Sequence, residues 1–119
     1  MSSTDCPVDV DTLDMLRELA DEDNPEFFEE LMDSYTVDAQ SLASSLEQGA
    51  TEADLDLMAR SAHTLKSSSA NIGANDLAAL CGTLEHRTRS EDTIPDAVAR
   101  VSEIRAALEL VLKFLANLD

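Results

Sequence analysis

Residues 55–73 read LDLMARSAHTLKSSSANIG. Within them Leu55, Met58, Ala62, Leu65, Ser69 and Ile72 recur at steps of three and four, the spacing of one face of an α-helix. Gly73 follows as a stop signal, and Thr51 with Asp54 three residues on resembles a capping box at the start, with Asp in place of the usual Glu or Gln. This stretch therefore predicts a helix with one buried stripe, and its neighbours repeat the pattern.

Downstream, Leu77, Leu80, Cys81 and Leu84 predict a fourth helix that frays near Arg89. Thr93-Ile94-Pro95 then opens a fifth, with Val98, Val101, Ile104, Leu108, Val111 and Leu115 on one face. Upstream, Asn24 as N-cap, Pro25 and Glu26 begin a second helix carrying Phe28, Leu31, Tyr35, Ala39, Leu42 and Leu46, which Gly49 closes. Val10, Leu13, Leu16 and Leu19 suggest a short first helix. Connections of about two to eight residues favour antiparallel neighbours. The expected fold is all-α: an antiparallel up-down four-helix bundle with the short N-terminal helix packed across one end. Residues 1–119 read as a single domain without repeat or linker, and residues 1–8, polar with little to bury, are expected to be flexible.

Composition agrees. The chain has 119 residues, 44% of them apolar and 28% charged, with three Gly, three Pro, no Trp and four aromatic residues, Phe27, Phe28, Tyr35 and Phe114. An all-β fold needs more turn residues and more β-branched or aromatic strands. A single core of this size buries roughly two-thirds of the unfolded-chain surface without staples. Two cysteines, Cys6 and Cys81, fit a reducing compartment better than a disulfide framework. The N-terminus shows no basic or apolar targeting region, and no apolar stretch reaches a membrane span, so a cytoplasmic location is expected.

The net charge is −17. A chain this acidic does not track a phosphate backbone or an anionic lipid surface, which argues against nucleic-acid and membrane-surface roles. The acidity is uneven, however. Residues 1–58 hold 17 acidic side chains against Arg17 alone, and residues 90–119 hold six acidic against three basic ones. Residues 59–89 reverse the sign, with Arg60, Lys66, Arg87 and Arg89 against Asp76 and Glu85.

His63 lies in that stretch. At about 100° per residue it points roughly 130° away from the buried stripe, and so faces solvent. Ser67 shares its face one turn later, Lys66 lies on the flank, and Ala59 and Ala70 bracket it. A neutral imidazole with an ordinary pKa of about 6.5 presents a nucleophilic nitrogen near neutral pH. Small neighbours let another protein bring a phosphorylated side chain in line with the ring. Lys66 can stabilise a phosphoimidazole by roughly 0.7 to 3 kcal/mol per charge pair before screening by salt. The arrangement suits a reversible phosphoryl acceptor.

The run from Ala62 to Ala74, followed by Leu77, Cys81 and Leu84-Glu85, closely resembles the signature of histidine phosphotransfer (HPt) domains from multistep His-Asp phosphorelays. The resemblance implies a four-helix bundle that shuttles a phosphoryl group between receiver-domain aspartates and has no kinase activity of its own. His63 would be the phosphoacceptor, Lys66 would support the phosphate, and Ser67 would keep the surface open where most of the family carries Gly. Receiver domains of response regulators or of a hybrid sensor kinase are the expected partners. The docking face is expected to comprise Ala59, Arg60, Thr64, Lys66, Ser67 and Ala70 around His63, with Leu13 and Leu16 of the first helix. No cofactor is expected in this chain, Mg2+ being held by the receiver, and a monomer is expected because successive partners use one surface.

Other readings fare worse. The dimerisation domain of a sensor kinase precedes an ATP-binding module, and Gly49, Gly73 and Gly82 compose no phosphate loop. Asp33-Ser34 is the residue pair of an acyl carrier, but it falls mid-helix rather than at a helix start. His63, His86, Cys6 and Cys81 lack the paired spacings of a zinc site. His86 reads as an exposed helix residue. The remaining alternative is a non-catalytic four-helix adapter that binds response regulators without phosphotransfer.

Overall fold

The computed structural model describes residues 7–19 and 26–118. They form α1 (Val10–Leu19), α2 (Phe27–Glu52), α3 (Leu55–Asn71), α4 (Asn75–Ser90) and α5 (Ala97–Ala116), with no strand among the described residues. Asn24 and Pro25, the expected start of α2, lie outside the described residues, as does Cys6.

Cross-helix pairs show that α2 to α5 alternate in direction. Tyr35 and Gly49 on α2 meet Ser69 and Met58 on α3, while His63 and Lys66 on α3 meet Glu85 and Gly82 on α4. Arg87 on α4 meets Asp96 just before α5, and Glu47 on α2 meets Arg105 on α5. The ring closes around Leu46, Met58, Leu65, Leu77, Leu84, Ile104 and Leu108, all fully buried. Each such side chain contributes about 1.5–3 kcal/mol by leaving water. Ser69, on the predicted stripe, is fully buried, and its hydroxyl is paired with the Tyr35 hydroxyl at 2.8 Å. Burial pushes the Tyr35 phenol up to about 12, against the lowering effect of that hydrogen bond. Cys81 is also fully buried, and the same loss of solvent raises its thiol to about 12.

α1 packs at the end of the bundle where α3 turns into α4. The Asp9 amide donates to the Gly73 carbonyl at 2.8 Å, and the Asp9 carboxylate accepts from the Asp11 amide and the Thr12 hydroxyl, both at 3.1 Å. Gly73 has φ of +88°, and a Cβ there would fall 2.9 Å from Thr12 Cβ, so the turn and its seat for α1 both require glycine. At the other end of α1, the Arg17 guanidinium lies 5.0 Å from the centre of the Phe28 ring.

Several local expectations are corrected. Gly49 does not end α2, which runs on to Glu52; a Cβ at Gly49 would meet Met58 Cγ at 2.7 Å, so this glycine permits close contact with α3. The stop is Ala53, in the left-handed conformation with its amide bonded to the Gly49 carbonyl. Thr51 belongs to the last turn of α2, and Asp54 itself caps α3 by accepting from the Leu57 amide at 3.1 Å. Val98 is 63% exposed, because α5 begins at Ala97 and turns that residue inward instead. Val8, at the end of the stretch expected to be flexible, is buried in the core, and Pro7 before it is half-buried.

Candidate functional site

His63 lies midway along α3, where Ala62 and Leu65 are held at zero exposure in the core and so turn the intervening residues outward. Its side chain is 56% exposed. On the facing helix, Glu85 follows Leu84 and lies one turn beyond Cys81, which brings its carboxyl to the rim of the α3–α4 seam with 11% of the side chain exposed. Three donors converge on it. His63 Nδ1 is 3.0 Å from Oε2, Lys66 Nζ is 2.9 Å from Oε1, and Arg89 Nε is 3.2 Å from Oε2.

Gly82 makes room for this convergence. A Cβ at that position would stand 3.2 Å from Lys66 Cδ, so the bare backbone of α4 is the surface over which the Lys66 stem passes on its way to Glu85. The hydrogen-bonded Lys66 ammonium pulls the Glu85 carboxyl down to about 2; burial opposes this, and Arg89 and His63 add to it. An ionised carboxylate only accepts hydrogen bonds, so His63 Nδ1 is the donor. In the neutral ring this fixes the proton on Nδ1 and leaves the lone pair of Nε2 directed away from Glu85.

Charge in the locally basic stretch is therefore unevenly used. Arg60 is paired with Asp56 at 2.9 Å, and Arg87 with both Glu91 and Asp96. Lys66 and Arg89 share the single carboxylate of Glu85. Two permanent cations beside one anion leave positive charge at the exposed edge of the imidazole, where an anionic group can be received.

The expected docking residues divide into two groups. Arg60, Thr64, Ser67 and Ala70 are exposed on α3 around His63, and Lys66 is half-buried beside it. Ala59 is only 5% exposed and Leu13 only 2%, because each packs inward, so neither offers surface to a partner. Leu16 is half-buried and lines a groove of about 300 Å³ with Tyr35 of α2 and Ser68, Asn71 and Ile72 of α3. The exposed apolar side chains of α1 are Val10, Met15 and Leu19.

Sequence reading did not assign a role to Glu85 or Arg89. The available signal was that Glu85 falls on the same face of α4 as Cys81, where an acidic side chain requires partners. His86, next along, is exposed, and its carbonyl accepts from the Ser90 hydroxyl. Among the described residues, no group of three or more His, Cys, Asp or Glu side chains is arranged to hold a metal ion, and no helix is long and apolar enough to cross a membrane.

Comparison with known proteins follows the same line. A family model for the Hpt domain matches residues 26–114, from the start of α2 to the last turns of α5. The fold is similar to the crystal structure of histidine-containing phosphotransfer protein B from Pseudomonas aeruginosa. The TM-score is 0.82 and the identity 27%, over 92% of this chain and 90% of that one. No curated protein sequence matches the chain.

Proposed function

Because the chain belongs to the Hpt domain family, whose members carry phosphoryl groups on histidine in phosphorelay signalling, we propose that His63 is its phosphoacceptor and that Nε2 is the atom that carries the group. The observation that carries this reading is the ring itself: exposed on α3, tied through Nδ1 to Glu85, and flanked by Lys66 and Arg89. In the transfer, the Nε2 lone pair attacks the phosphorus of a receiver's aspartyl phosphate. The N–P bond forms as the acyl-phosphate O–P bond breaks, and the aspartate carboxylate leaves with the electron pair. The ring becomes cationic, and its Nδ1 proton stays on the hydrogen bond to Glu85. Return to a second receiver is the reverse.

Family members are carriers rather than kinases, and this chain depends on its partner for much of the chemistry. The receiver's acidic pocket supplies Mg2+, which neutralises the transferring oxygens. The docking surface is centred on His63 with Arg60, Thr64, Ser67 and Ala70, and extends to Leu16 across the groove beside α1. Ser67 is small enough for close approach. A cytoplasmic monomer fits a surface that serves successive receivers.

Incubation with a radiolabelled phospho-receiver tests the assignment. The wild type is expected to take up acid-labile, alkali-stable label, and His63→Gln none, with the helical circular-dichroism spectrum of the two unchanged. Label retained on the variant would overturn it. Receiver binding without any label on the wild type would identify an adapter instead.

A further inference from the structure

Glu85 does more than orient a ring. Its two oxygens are already engaged by the two cations that a phosphoryl group on Nε2 would draw upon, Lys66 at 2.9 Å and Arg89 at 3.2 Å. The carboxylate and the phosphoryl group are therefore rivals for the same charge. We propose that Glu85 is a positioning residue that keeps the phosphoryl group on His63 transferable, by competing with it for Lys66 and Arg89; this rests on His63 being the phosphoacceptor.

The geometry makes Glu85 the fixed member of the contest. Its side chain is 11% exposed in the α3–α4 seam, whereas Lys66 is 38% and Arg89 58% exposed, so the cations have room to swing and the carboxylate does not. In the phosphorylated chain Lys66 and Arg89 are divided between the two anions. When a receiver carboxylate oxygen attacks the phosphorus, the N–P bond breaks and its electron pair returns to Nε2. The ring is left neutral with the Nδ1 proton in place, and both cations close again on Glu85. Recovery of those ion pairs favours departure of the group. The depressed carboxyl of Glu85 keeps it ionised, and hence a competitor, throughout the neutral range.

Glu85→Gln separates this role from the orienting one. The amide oxygen still accepts from Nδ1, but the side chain no longer carries a charge to hold Lys66 and Arg89. With His63 labelled directly by phosphoramidate, the phosphohistidine of Glu85→Gln is expected to last about three- to tenfold longer than that of the wild type near neutral pH, and to pass to a receiver more slowly by a similar factor. The same substitution made in a Lys66→Ala/Arg89→Ala chain is expected to give no gain. Nitrogen-15 NMR of the unphosphorylated proteins should show the proton on Nδ1 in both wild type and Glu85→Gln. An unchanged or shortened lifetime in Glu85→Gln, or a gain that persists without the two cations, would overturn the proposal. Failure of wild-type His63 to take label would instead remove the phosphoacceptor reading beneath it.

Discussion

Two ion-pair clusters share α4, and they have opposite stoichiometry. On the side facing α5, the Arg87 guanidinium is held by Glu91 and Asp96, and Asp96 is held in turn by Arg100, which also pairs with Glu103, so that three acids meet two cations. There, the hydrogen bonds that Arg87 donates to Asp96 and then to Glu91 raise its pKa above the ordinary value, and acids surround the cation. On the side facing α3, one carboxylate, Glu85, serves Lys66, Arg89 and His63. The contacts have similar lengths, yet the first cluster carries an excess of acid and ties the α4–α5 connection, whereas the second keeps positive charge in hand beside the proposed phosphoacceptor. What separates a structural clamp from a receptive site here is the count of charges, not the quality of the bonds.

Removing the surplus should give the largest break in this contrast. Lys66→Ala/Arg89→Ala is expected to cut the phosphohistidine half-life by about tenfold, read from loss of label after rapid separation from the donor. Arg87→Ala, two residues from Arg89, should leave that half-life unchanged and instead lower the thermal midpoint of unfolding, with a smaller loss in high salt because the groups are accessible to screening ions.

Acid sharpens the comparison next. The folded-state pKa of Glu85 is depressed, from about 4.5 to about 2, so the stability it contributes is present above 4.5 and is lost as the pH falls toward 2. The stability difference between wild type and Glu85→Gln, followed by urea unfolding, should therefore be constant at neutral pH and change progressively across that acid window. The smallest effect is expected for Gly82→Ala. Better helix propensity raises stability by about 0.5–1 kcal/mol, while the added methyl shifts the Lys66 stem by a few tenths of an ångström and modestly shortens the phosphohistidine lifetime. A calorimetric midpoint that rises together with a lifetime that falls is the signature sought.

The helices and their buried stripes were legible in the sequence because period 3.6 is a property of each segment alone. So was the outward direction of His63, opposite Met58, Ala62 and Leu65. Glu85 was not legible as a site residue, since its role depends on the register between α3 and α4, which no single segment encodes. An acidic residue on a helix also most often points to solvent. The ends of helices misled for a related reason: Gly49 looks like a stop, but the glycine is used for contact across to Met58, and an alanine takes the left-handed turn at position 53. Leu13 and Ala59 were misplaced on the docking face because residues near the edge of a stripe can turn either way, and the packing of α1 against the α3–α4 turn, like that of α3 within the bundle, decides it.

Cys81 gives the bundle an internal reporter. It lies on α4 one turn before Glu85, fully buried and with its thiol pushed to about 12, so alkylating reagents reach it only when the helices part. In a Cys6→Ser background, its labelling rate measures how often the seam beneath His63 opens, and comparing that rate with and without a phosphoryl group would time the breathing of the carrier between its partners.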